Sequence, residues 1–119
     1  MLDIERVDFV SVPIRDLARA RRFYGETLGL ARSPSSPDEF EAANVTLALW
    51  EPAADGEPFE PNTAGIALRV PDVRRSREQL EGSGVQFRGE TVDTGVCHMA
   101  FFSDPDGNVL ILHRRYAAP

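Results

Sequence analysis

The feature that most constrains this chain is a pattern that occurs twice. Residues 56 positions apart match in type, pairing Asp16 with Asp72, Leu17 with Val73 and Tyr24 with Leu80. In the first half, Val10, Val12 and Ile14 alternate with Phe9, Ser11 and Pro13, as in a strand with one buried face. Asp16 is placed to cap a helix, in which Leu17, Ala20, Phe23, Tyr24 and Leu28 recur at helical spacing until Gly29 ends it. Residues 33–37 read as a loop, and 40–43 and 45–50 as short strands joined near Asn44. In the second half, Ile66, Leu68 and Val70 alternate, and Pro71-Asp72 precede a helix from Val73 to about Gly82. Strands follow near 85–88, 96–102 and 109–115, with Asp104-Pro105-Asp106-Gly107-Asn108 as the turn before the last. Each half thus reads strand, helix, then about three strands, and an internal duplication in so short a chain is informative. A half of that size has too few elements to cover both faces of its own sheet. Two halves or two chains must cooperate to enclose a space.

Composition narrows the chemistry. The 119 residues suit one domain. All 13 basic residues are Arg, set against 19 carboxylates, for a formal charge of -6. Without Lys there is neither a Schiff-base lysine nor a Walker-type phosphate loop. The acidic balance argues against a nucleic-acid partner. The single Cys97 forms no internal disulfide, which suits a reducing compartment. No apolar run approaches the ~20 residues of a membrane helix, and the mixed, acidic N-terminus is unlike a signal peptide. The expectation is a cytoplasmic protein with neither nucleic acid nor membrane as partner. The charge is uneven: Ser33 to Leu68 holds seven acids (Asp38, Glu39, Glu41, Glu51, Asp55, Glu57, Glu60) and no base. This reads as a solvated acidic loop region, or as a gate that repels anions.

Three segments carry a resemblance to a known family. They are Val10 to Leu17 followed by Arg22-Phe23-Tyr24 and Leu28-Gly29-Leu30; Ile66 to Val73; and Ala100 to Asn108. In this order and spacing the chain resembles the glyoxalase/bleomycin resistance protein/dioxygenase group, the vicinal oxygen chelate superfamily. The resemblance implies an α+β fold of two βαβββ modules whose sheets curl into a cup. Module one covers about 4–52, a linker 53–63 and module two about 64–116, making a single domain over 1–119. It further implies a homodimer and a ligand site in the cup.

Metal-dependent members of that family place four ligands on the cup face. At the corresponding positions this chain has Phe9 and Gly65 where His is usual, Ile111 where Glu is usual, and Thr46 within about one residue of the fourth. Divalent cations need several N, O or S donors held together. Phenyl, hydrogen and sec-butyl groups supply none, so the expectation is that neither metal nor other cofactor is used.

Strand alternation and the family pattern then give the lining: Phe9, Ser11, Thr46, Ala48, Trp50, Cys97, Met99, Phe101, Val109, Ile111 and His113. Such a lining suits a small, largely apolar organic ligand. A rival reading is a cup collapsed on its own side chains. Trp50 serves equally as a stacking platform or as a cover for the rim. His113, by parity with Ile111, points to the cup; His98 points away unless a bulge near Gly95 resets the register. Arg69 and Arg88 could hold a ligand carboxylate at the rim. The helix residues Arg15, Arg19, Arg21, Arg22, Arg74, Arg75 and Arg77 read as solvated faces. The function expected is small-molecule binding for sequestration, resistance or sensing. The alternative is a metal-independent lyase or isomerase with His113 or His98 as general acid or base. A third reading is an interaction module with a filled cup.

Overall fold

The structure, a computed structural model, describes residues 1–118. The chain forms two compact units, one spanning Met1–Phe59 and the other running from Glu60. The first contains β1 (Phe9–Pro13), α1 (Leu17–Arg22), β2 (Ala31–Arg32), β3 (Glu39–Ala42) and β4 (Val45–Trp50). The second contains β5 (Ile66–Arg69), α2 (Val73–Gly82), β6 (Phe87–Asp93), β7 (Cys97–Ser103) and β8 (Val109–Arg115). Each unit is therefore βαβββ, and the fold is α+β. The strand orders correspond: β1-β4-β3-β2 in one sheet, β5-β8-β7-β6 in the other. In both, the strand before the helix lies parallel to the last strand, and the remaining pairs are antiparallel.

The helices start as the sequence predicts. Asp16 accepts a hydrogen bond from Arg19 N at 3.1 Å, and Asp72 accepts one from Arg75 N at 3.0 Å. Each carboxylate satisfies an N–H that has no partner within the helix. The first helix then departs from the expectation of regular turns up to Leu28. Phe23–Thr27 widen into a π-type turn, closed by Leu28 N on Phe23 O at 2.9 Å. Gly25 lies in it, and a Cβ there would come within 3.1 Å of the Phe40 ring. The absent side chain lets that ring pack against the helical backbone.

One face of each sheet is packed against its helical segment. In the first unit Val12, Ile14, Phe40, Leu47 and Leu49 are buried with Ala20, Phe23 and Tyr24. The Tyr24 and Phe40 rings are 6.4 Å apart. In the second, Ala100, Phe102, Leu110 and Leu112 are buried, as are Val73 and Leu80 of α2. Burying each such large apolar side chain contributes about 1.5–3 kcal/mol.

Three of the seven helix arginines expected on solvated faces have structural roles. Arg77 bonds Gly89 O at 2.9 Å and Thr91 Oγ1 at 3.2 Å, and lies over the Phe87 ring at 4.8 Å. This is where β6 runs out of register with β7, between Arg88 and Val92. Arg77 supplies the donors that the interrupted ladder lacks, and β6 continues to Asp93 rather than ending near Arg88. Arg21 Nε donates to Asp38 at 2.7 Å. Arg15 lies over the Phe59 ring at 3.8 Å.

The turn before β8 is a buried polar knot. Asp104, 4% exposed, accepts on Oδ1 from Asp106 N and Asn108 N, both at 2.9 Å, and on Oδ2 from Asn108 Nδ2 at 2.8 Å. Asn108 Oδ1 in turn accepts from Asn62 N at 2.8 Å, which ties the segment before β5 to the start of β8. Asp104→Ala strands several buried donors. Urea denaturation is expected to show a loss of about 2–4 kcal/mol, because each unsatisfied buried group costs ~1–3 kcal/mol.

Candidate functional site

The second face of each sheet carries the candidate residues. In the first unit β1 and β4 are in parallel register, with Phe9 beside Thr46, Ser11 beside Ala48 and Pro13 beside Trp50. Neighbours on one face lie ~5 Å apart at Cβ, so these six side chains form one surface. It is an open surface, on which Phe9 is 55% exposed. Trp50 ends β4, 38% exposed, and its indole N–H donates to Asp55 at 2.7 Å. Asp55 belongs to a short 3-10 turn, Pro52–Asp55, within the stretch read as an acidic linker.

Two residues of this face were not anticipated. β3 sets Glu41 opposite Thr46 and Glu39 opposite Ala48. Thr46 Oγ1 donates to Glu41 Oε2 at 2.8 Å. These carboxylates come from the stretch read as an acidic loop region; Glu41 falls in the strand expected over 40–43, and Glu39 extends it by one residue. The signal was present: a tight turn at Ala43-Asn44 pairs Ala42 with Val45, and counting back by twos places both acids on the Thr46 face. Ala43 adopts φ +57° in that turn.

In the second unit Ala67 lies beside Ile111, and Arg69 beside His113. Across β8, Met99 faces His113, Phe101 faces Ile111, Ser103 faces Val109 and Cys97 faces Arg115. Beyond β7, Arg88 pairs with Phe101 and Val92 with Met99. Cys97, Met99, Phe101, Val109, Ile111 and His113 thus share a face. Val109 and Ile111 are its most buried members, Ile111 being 9% exposed.

His98 stands on the opposite face, paired with Arg114 on β8 and Asp93 on β6. The irregularity that could have turned it lies at 88–92 and leaves Gly95 outside it. His98 Nε2 is 3.4 Å from Asp93 Oδ2, and its ring lies 4.7 Å from that of Tyr116. Gly95 N donates to Asp93 Oδ1 at 2.9 Å, and the Tyr116 hydroxyl donates to the same oxygen at 2.7 Å. The Gly95 amide, the Tyr116 hydroxyl and His98 hold the Asp93 carboxyl below its ordinary 3.8. The bond to Asp93 raises the Tyr116 phenol above 10.0. The structure therefore brings His113, and not His98, to the face with the apolar side chains.

The four family metal positions divide between the units, Phe9 and Thr46 in one, Gly65 and Ile111 in the other. The residues present do not fit a cation. Thr46 gives its hydroxyl proton to Glu41. A Cβ at Gly65 would lie 3.0 Å from Ile111 Cδ1, so Ile111 fills the space a ligand side chain there would need. Among the described residues no three His, Cys, Asp or Glu side chains cluster as a metal requires. No helix is long and apolar enough to cross a membrane.

Comparison with known proteins agrees with the architecture. Residues 6–112 match the family model described as Glyoxalase/Bleomycin resistance protein/Dioxygenase superfamily. The chain is 27% identical to the uncharacterized protein YetH of Bacillus subtilis (strain 168), covering 92% of this chain and 98% of that one. Among solved structures it is similar to TnmS3, an antibiotic binding protein from Streptomyces sp. CB03234. That match has 31% identity and a TM-score of 0.77, covering 97% of this chain and 99% of the other. A putative glyoxalase family protein from Bacillus anthracis shares the fold at 22% identity, with a TM-score of 0.79 and coverage of 97% and 98%.

Two outcomes follow from this geometry. Gly65 has φ +94° and no room beside Ile111, so Gly65→Ala is expected to lower stability by about 1–3 kcal/mol in chemical denaturation. The Tyr116–Asp93 bond stabilises the fold below the phenol's ordinary 10.0, and that contribution is lost as pH rises through the raised value. For Asp93 the sign is opposite: its contribution is present above 3.8 and lost as pH falls through the lowered value. Asp93→Asn is expected to bring the Tyr116 titration down towards 10.0 in NMR spectra of tyrosine labelled at Cζ. A titration that does not move would mean that the bond is absent.

Proposed function

The chain belongs to the glyoxalase/bleomycin resistance protein/dioxygenase superfamily, and from that premise we propose that it binds a small, largely apolar organic molecule on its open sheet faces, without a metal. The observation that carries this reading is the replacement of donors by Phe9, Gly65 and Ile111 on faces that keep exposed aromatic and aliphatic side chains. Phe9, Ser11, Thr46, Ala48 and Trp50 supply contacts in one unit. Cys97, Met99, Phe101, Val109, Ile111 and His113 supply them in the other. Apolar surface removed from water drives such binding, at about 25 cal/mol per Å² before the cost of association. The similarity to an antibiotic binding protein supports a sequestration or resistance role, with sensing as a variant of the same chemistry. In this reading the protein is a cytoplasmic homodimer.

A second reading is favoured by one observation. His113 is half-buried beside Arg69 and Met99, on the ligand-bearing face. An imidazole there could move a proton on a bound molecule, which would make the protein a metal-independent lyase or isomerase.

A thermal-shift series with neutral aromatic and aliphatic alcohols, with and without divalent cations, tests the proposal. At ten times its Kd a ligand adds about 1.4 kcal/mol, a rise in Tm of roughly 6 °C for a chain of this size. The expected result is stabilisation by at least one such compound, independent of cations. Stabilisation by cations alone would overturn it. Mass analysis of the recovered compound separates the readings: an unchanged mass and NMR spectrum favour sequestration, whereas conversion that His113→Ala abolishes favours the enzyme.

A further inference from the structure

The open face of the second unit combines an apolar floor with two guanidinium groups that form no ion pair among the described residues. Arg69 ends β5 beside His113, and Arg88 stands on β6 beside Phe101. The Arg88 guanidinium carbon lies 5.8 Å from the Phe101 ring centroid, so this exposed side chain lies across β7 over the apolar floor. Among the described residues neither Arg69 nor Arg88 has a carboxylate within ion-pair distance or an acceptor within hydrogen-bond distance. No paired position on this face carries an acid; Glu90, in the unpaired stretch between Arg88 and Val92, makes no ion pair with either arginine.

The chain as a whole has six more acids than bases, yet none of those acids pairs with Arg69 or Arg88 among the described residues. Other arginines in the same protein do find partners: Arg21 takes Asp38, Arg6 takes Asp8 and Arg77 takes Glu81. The first unit's open face has the reverse polarity, with Glu39 and Glu41 beside Ala48 and Thr46. A uniformly apolar ligand would have no use for two unneutralised cations. A guanidinium presents parallel N–H groups that match the two oxygens of a carboxylate, and it gains most where an apolar surface displaces water.

From this we infer that the ligand of the second unit's face is an organic carboxylate, its aromatic or aliphatic body on Phe101, Met99 and Ile111 and its anionic end on Arg69 or Arg88. This inference rests on the small-molecule reading above and specifies its chemical class. His113, when protonated, adds a third donor at the Arg69 end.

Calorimetric titration of the full chain with 2-naphthoate, 2-naphthamide and 2-naphthylmethylammonium tests it, since the three share a body and differ in charge. The expected order is naphthoate tightest, by ~5–10-fold over the amide, as a partly exposed charge-assisted contact gives. Arg69→Gln or Arg88→Gln should erase that preference without weakening the amide, and the corresponding Lys variant should restore part of it. Far-UV circular dichroism confirms that each variant is folded; if one is not, the order of affinities in the unaltered protein decides. An amide or ammonium that binds as tightly as naphthoate overturns the carboxylate inference and leaves small-molecule binding standing. A preference that survives both Gln variants likewise overturns it. Failure of all three to bind at millimolar concentration overturns both readings.

Discussion

The arrangement of this protein depends on one shortage: each four-stranded sheet has two faces, and each unit supplies a single helical segment to cover one of them. Parallel pairing of the first strand with the last carries the covered face from the edge strand onto its neighbour, as with Val12 beside Leu49 and Leu68 beside Leu112. The covered faces then take the large apolar residues and close. The uncovered faces are left with a mixture that would be a poor core: Phe9 with Ser11, Thr46 with Glu41, Ile111 with Arg69 and His113.

Charge is sorted by the same geometry. The acidic stretch in mid-chain divides among three kinds of place. Asp38 anchors Arg21, Asp55 holds the Trp50 indole, and Glu39 and Glu41 stand on the open face. The arginines divide as well, Arg77 repairing an interrupted ladder while Arg69 and Arg88 remain on an apolar floor. Formal charge summed over the chain hides this, because interaction energy depends on neighbours at a few ångströms and on local water, not on totals.

Loss of the family's metal donors is a change of packing as well as of chemistry. Gly65 and Ile111 are complementary in size, since the space lacking a Cβ at one is filled by the other. A ligand side chain restored at Gly65 alone would therefore meet Ile111. Thr46 is similarly committed to Glu41.

Much of this was legible in the residues. The repeat, both aspartate caps, the alternation of β1 and the outward turn of His98 all follow from short-range periodicity, which the chain carries in itself. The resemblance in three segments extended this to βαβββ units. The π-type turn after Arg22, the extension of β6 past Arg88, the inclusion of Glu39 in β3 and the place of Glu39 and Glu41 on the Thr46 face were not read, since each depends on a partner distant in sequence or on a hairpin register. So the sequence by itself determined which residues share a strand face and which metal donors are missing. Only the tertiary structure decided which arginines are neutralised, which acids leave the loop, and that Ile111 occupies the space at Gly65. Local periodicity is a property of neighbouring residues, whereas neutralisation and steric filling depend on atoms that meet only when strands pair and helices dock.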